Sequence, residues 1–113
     1  MEIVGKKILE KLKRKNKGNN LLVSSIDNLI TDIAANDFQT QSEIIKIRPD
    51  ADCVHSDGFY FFNINIHRTL ILIAFEDEAA TIVWGGSHDD SEKTFKNNKN
   101  TIKKWLRDKE WIE

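Results

Sequence analysis

Near residue 50 the spacing of the apolar residues changes, and few architectures accommodate that change. Upstream of Pro49, apolar residues recur every three to four positions, as on one face of a helix. Downstream they fall in short runs, residues 51–54, 59–66, 68–75 and 79–84, rich in β-branched and aromatic side chains. Ser56-Asp57-Gly58 and Glu76-Asp77-Glu78 are turn sequences between them, and Gly85-Gly86 is expected to close the last strand. The runs therefore predict a meandering antiparallel sheet. Phe62, Ile64 and Ile66 alternate with Asn63, Asn65 and His67, so one sheet face is expected in the core. The other, polar, face is a candidate binding surface.

Upstream, residues 1–4 read as a short strand and Ile8, Leu9 and Leu12 as the apolar face of a basic helix. Lys17-Gly18-Asn19-Asn20 interrupts the pattern, and Leu22, Ile26, Leu29, Ile30 and Ile33 form the stripe of a second helix. Asn36-Asp37 ends it, and Phe38 is expected to fold back on the pair. Ser42 is the expected cap of a single helical turn that Pro49 stops. At the other end, Phe95, Ile102, Trp105 and Leu106 mark a lysine-rich C-terminal helix. The prediction is one α+β domain over residues 1–113, with helices gathered on one side of the sheet.

A chain of 113 residues buries roughly two thirds of its unfolded surface, enough for one core. Residues 70–75, among the longest apolar stretches, fall far short of the roughly 20 residues of a membrane span, so no membrane is expected. Glu2 and Glu10 stand where a signal peptide is apolar, which points to the cytoplasm. The lone Cys53 can form no internal disulfide and has no neighbouring cysteine for a zinc site; it reads as a buried strand residue. Net charge is −1, but residues 1–17 sum to +5, residues 18–92 to −10 and residues 93–113 to +4. Such polarity steers a polyanion toward the basic ends, or else the lysines merely solvate two helices.

Several segments, in order, resemble the HigB toxins of the RelE-like superfamily. Met1-Glu2-Ile3-Val4-Gly5-Lys6-Lys7-Ile8-Leu9 is similar to the family's opening strand and basic helix start. Pro49-Asp50-Ala51-Asp52-Cys53-Val54, Phe62-Asn63-Ile64, Arg68 and Gly86-Ser87-His88 follow, with 20 positions from Arg68 to His88. Val83 stands where these toxins often carry a second arginine, and Ser91 where they often carry a tyrosine. The resemblance implies a RelE-like fold, two N-terminal helices packed on a small, mainly antiparallel sheet plus a C-terminal helix. It also implies a type II toxin, an mRNA interferase cutting ribosome-bound message, neutralised by a HigA-like helix-turn-helix antitoxin.

RNA cleavage without a metal needs a proton acceptor, a proton donor and positive charge at the phosphate. His88 is the acid/base candidate and Arg68 the phosphate clamp, with the two expected on one concave face. Lys46 and Arg48 are further candidate phosphate contacts, His67 and Ser87 candidates for orientation and proton transfer, and Lys6 and Lys7 for docking RNA at the basic end. By itself each residue has a plainer reading: His88 as a solvated or capping residue, Arg68 as an ion-pair partner of Asp52 or Glu76. Asp89-Asp90 beside His88 lacks a metal-ligand geometry, and no cofactor is expected. Trp84 and Trp105 read as core, and Trp111 as free to meet a partner. The alternative function is a non-catalytic RNA- or antitoxin-binding module, and Val83 and Ser91 are the features that separate the two.

Overall fold

In a computed structural model, which describes residues 1–113, the break at Pro49 separates three helices from most of a five-stranded sheet. The elements run β1 (Glu2–Val4), α1 (Lys7–Lys15), α2 (Asn20–Ala34), α3 (Gln41–Ile47), β2 (Asp52–His55), β3 (Phe59–Ile64), β4 (His67–Ala74), β5 (Ala79–Ser87), α4 (His88–Phe95) and α5 (Lys99–Asp108). The strand order is β1-β5-β4-β3-β2, antiparallel except for β1, which lies parallel to β5. The α+β class and the mainly antiparallel sheet are as the sequence predicts.

The stripe Leu22, Ile26, Leu29 and Ile33 of α2 is buried, together with Leu9 and Leu12 of α1 and Ile44 of α3, against Tyr60, Phe62, Ile64, Ile71 and Ile73. The cap of α3 is Thr40 rather than Ser42: the Glu43 amide donates to Thr40 Oγ1 at 3.3 Å, and the Thr40 amide donates to the Glu43 carboxylate at 3.1 Å. This reciprocal pair satisfies two donors that a helix start leaves free, which Ser42, already inside the helix, cannot do.

The helices do not all lie on one side. Val54, Phe59, Phe61 and Leu70 make the opposite sheet face apolar as well, and Phe95, Ile102 and Leu106 cover it. Burying each such side chain contributes about 1.5–3 kcal/mol, so an apolar stripe on α4 and α5 finds its partner there. The C-terminal run is two helices, because Lys96 and Asn97 adopt positive φ (54° and 48°) and Asn98 starts a new helix by accepting from the Asn100 and Thr101 amides. Trp84 and Trp105 pack on this second core, and Trp111 is exposed.

The expected alternation fails at one point. Asn65 and Ile66 form a two-residue turn, with Asn65 at φ 61°, and Ile64 pairs directly with His67. Directly paired residues share a face. Hence Ile66 is 65% exposed, while His67, expected on the polar face, is only 6% exposed. A bulge at Val83, between the pairs Leu70–Trp84 and Ile71–Ile82, turns both Val83 and Trp84 toward the second core. Gly85 and Gly86 do not end the strand, which continues to Ser87.

Candidate active site

His67 and Arg68 are neighbours on β4, so their side chains leave opposite faces of the sheet. Arg68, paired with Asn63 and Gly86, points under α4. Its guanidinium lies 4.2 Å from the centre of the Phe61 ring, Nη1 donates to Ser91 Oγ at 3.5 Å, and Nη2 is 3.9 Å from the Asp52 carboxylate. These groups line a cavity of about 100 Å³ with Val54, Phe95, Asn97, Lys99 and Ile102. Opposite Arg68, a side chain at Gly86 would come within 2.8 Å of the Trp84 indole, so only glycine leaves room for that ring. The ion-pair reading of Arg68 with Asp52 is therefore present in the fold, alongside stacking on Phe61 that only the strand register reveals.

His67 faces the other way, paired with Ile64 and Ser87. Burial holds its pKa below the ordinary value of 6.5; His88 pushes it the same way and Asp90 opposes. Its Nδ1 is buried without a hydrogen-bond partner. Ser87 caps α4 by accepting the Asp90 amide at 3.0 Å, so the residue after it starts a helix rather than ending a strand. That residue is His88. Its amide donates to the Ile66 carbonyl at 3.3 Å, tying the start of α4 to the β3–β4 turn. The His88 side chain is exposed and lines an open cleft with Asn65, Ile66, Ser87 and Asp89. Arg68 and His88 thus sit at the same end of the β4–β5 pair but line separate cavities instead of the single concave face expected, because Arg68 leaves the strand under α4 whereas His88 opens that helix.

The remaining candidates are dispersed. Lys6 and Lys7 are exposed at the start of α1, and Lys46 is exposed on α3 beside Asp37 and Glu43. Arg48 is occupied within the fold: Nη1 meets Asp32 at 3.3 Å, while Nη2 donates to Asp50 at 2.8 Å and to the Asn63 carbonyl at 2.9 Å. Asp50 in turn accepts the Asn63 amide at 2.8 Å. Arg48 is a clamp between α2, the segment after α3 and the end of β3. Its sequence signal, an arginine beside Pro49-Asp50, is too common to announce the role.

A family model described as HigB_toxin, the RelE-like toxic component of a toxin-antitoxin system, matches residues 23–94, well over half of the chain. The chain belongs to the HigB toxin family. It is thus the toxin of a toxin-antitoxin system, and an antitoxin is its partner. No curated protein matches it. The HigB match takes in Arg68, His67, Ser87, His88 and Ser91, and leaves out Lys6, Lys7 and all of α5. Of the two positions where the resemblance leads one to expect an arginine and a tyrosine, Val83 is buried in the second core, while the Ser91 hydroxyl is the one that Arg68 contacts.

Proposed function

We propose that this HigB-family toxin is a metal-independent endoribonuclease, an mRNA interferase that cuts ribosome-bound message in the cytoplasm until a HigA-like helix-turn-helix antitoxin neutralises it. The observation that carries the reading is the grouping, inside the matched segment, of an exposed imidazole, a second imidazole biased toward neutrality and a guanidinium at one end of β4–β5. In this reaction His88 accepts the proton of a ribose 2′-hydroxyl as that oxygen attacks the adjacent phosphate. The bond to the 5′-oxygen breaks, the leaving oxygen takes the proton that His88 has accepted, and a 2′,3′-cyclic phosphate remains. Arg68 opposes the charge that builds on the phosphate. Burial disfavours the charged form of His67, so it adds little positive charge beside His88 and can relay a proton. Ser87 orients His88 through its cap, and Lys6, Lys7 and Lys46 hold flanking phosphates. Arg48 acts through the fold.

A second reading, a non-catalytic RNA- or antitoxin-binding module, draws on the separate cavities of Arg68 and His88 and on the side chains that already engage Arg68. Expression of the chain alone in bacteria distinguishes the two. The nuclease reading expects growth arrest with new message ends by primer extension, and a loss of about 10²- to 10⁴-fold in cleavage for His88→Ala or Arg68→Ala with far-UV circular dichroism unchanged. Arrest without cutting, or full cutting by both variants, overturns it.

A further inference from the structure

The outer edge of β5 is open over its second half. β1 pairs only with residues 79–81, so from Val83 to Ser87 the strand is hydrogen-bonded on the β4 side alone. The direction of the free groups follows from the ladder. The His88 amide reaches the Ile66 carbonyl across from it, and the same alternation turns Gly86 and Trp84 toward β4. The Gly85 amide and carbonyl and the Ser87 amide therefore point outward and meet no partner, while the Ser87 carbonyl accepts the first hydrogen bond of α4. Beside this edge runs a groove of about 250 Å³ between α1 and β5, floored by Ile8, Leu12, Val83 and Trp84 and flanked by Lys11 and Lys15. Lys13, on another side of α1, is paired with Asp27 and Glu10, whereas Lys11 and Lys15 are exposed and have no acidic partner.

We infer that this groove takes an extended acidic segment of the antitoxin, added to the sheet as a further strand along Gly85–Ser87. An open edge offers alternating donors and acceptors, which another peptide backbone satisfies and a phosphate backbone, bearing only acceptors there, does not. The charges also match in spacing. Lys11 and Lys15 stand one helical turn apart, about 6 Å along the axis, and alternate residues of an extended chain stand about 7 Å apart. Acidic side chains at every second position can therefore meet both lysines, while the residues between them lie on the opposite face, on the side of Val83 and Trp84. The inference rests on membership of a toxin-antitoxin family and not on the nuclease reading.

The probe is an eight-residue acetylated and amidated peptide of alternating valine and glutamate, added to the ¹⁵N-labelled full chain. Slowing of amide exchange at Gly85 and Ser87 by about tenfold or more is expected at saturation, with binding about tenfold weaker in the Lys11→Gln/Lys15→Gln variant, whose changes lie on the surface. A valine-lysine peptide should leave both amides unchanged. Unaltered exchange at Gly85 and Ser87, equal protection by the lysine peptide, or protection of the same amides by an octauridylate instead overturns the proposal. Because none of these readouts involves RNA cleavage, a chain that cuts RNA yet leaves this edge unprotected sinks the strand-docking inference alone.

Discussion

Replacing Arg48 with alanine tests whether a cation in the acidic middle of the chain serves the fold or the RNA. The side chain is 15% exposed and bridges Asp32, Asp50 and the Asn63 carbonyl. The Asp32 arm, at 3.3 Å to a carboxylate 36% exposed, is close to a surface pair and contributes up to about 1 kcal/mol. The arms to Asp50 and Asn63, at 2.8 and 2.9 Å, the first to a carboxylate 23% exposed, together contribute about 2 kcal/mol as charge-assisted hydrogen bonds. Asp50 keeps its bond from the Asn63 amide and is not stranded. The expected loss is about 2–3 kcal/mol, which lowers Tm by roughly 10 °C in a domain of this size. Urea unfolding followed by tryptophan fluorescence and circular dichroism measures it, and Arg48→Lys should recover only part, since one ammonium cannot span three acceptors. A loss below about 0.5 kcal/mol, accompanied by weaker RNA binding, refutes the clamp and makes Arg48 a phosphate ligand.

Two further outcomes follow from the same geometry. His67 has a folded pKa below the unfolded value of 6.5, so unfolding takes up a proton between the two values; its contribution to stability is present above 6.5 and is lost as pH falls toward and through the folded value. The urea midpoint should drop from pH 7.5 to 5.5, and His67→Gln should flatten that drop; an equal slope in the variant means that another group carries it. Neutralising Lys6, Lys7, Lys11, Lys103 and Lys104 should reduce the salt dependence of RNA binding by roughly 0.7 in log-log slope for each phosphate that no longer meets a lysine, without unfolding, and an unchanged slope by filter binding shows that the basic ends only solvate the helices.

What was legible in the residues was local. The stripe of α2, the turn at Ser56-Asp57-Gly58, the strand runs and the α+β class all follow from periodicities that neighbouring residues impose on one another. So does the grouping of Arg68 and Gly86-Ser87-His88 at one sheet end, once the strands pair antiparallel. The second core was partly legible too, since Phe95, Ile102 and Leu106 demand burial somewhere.

Only the tertiary structure decided where that burial occurs and which partners the charged groups take. A two-residue turn at Asn65-Ile66 reverses the inside-outside parity of everything after it, so the burial of His67 depends on a count that hydrophobic alternation does not contain. Arg48 meets Asp32 and Asn63, far from it in sequence, because α2 and β3 converge there. Arg68 and His88 enter separate cavities because one leaves the face of a strand and the other opens a helix whose cap, Ser87, turns the chain between them. Local pattern determines which elements form; the direction of a functional side chain depends on pairing register and cap geometry, which arise only when distant segments meet.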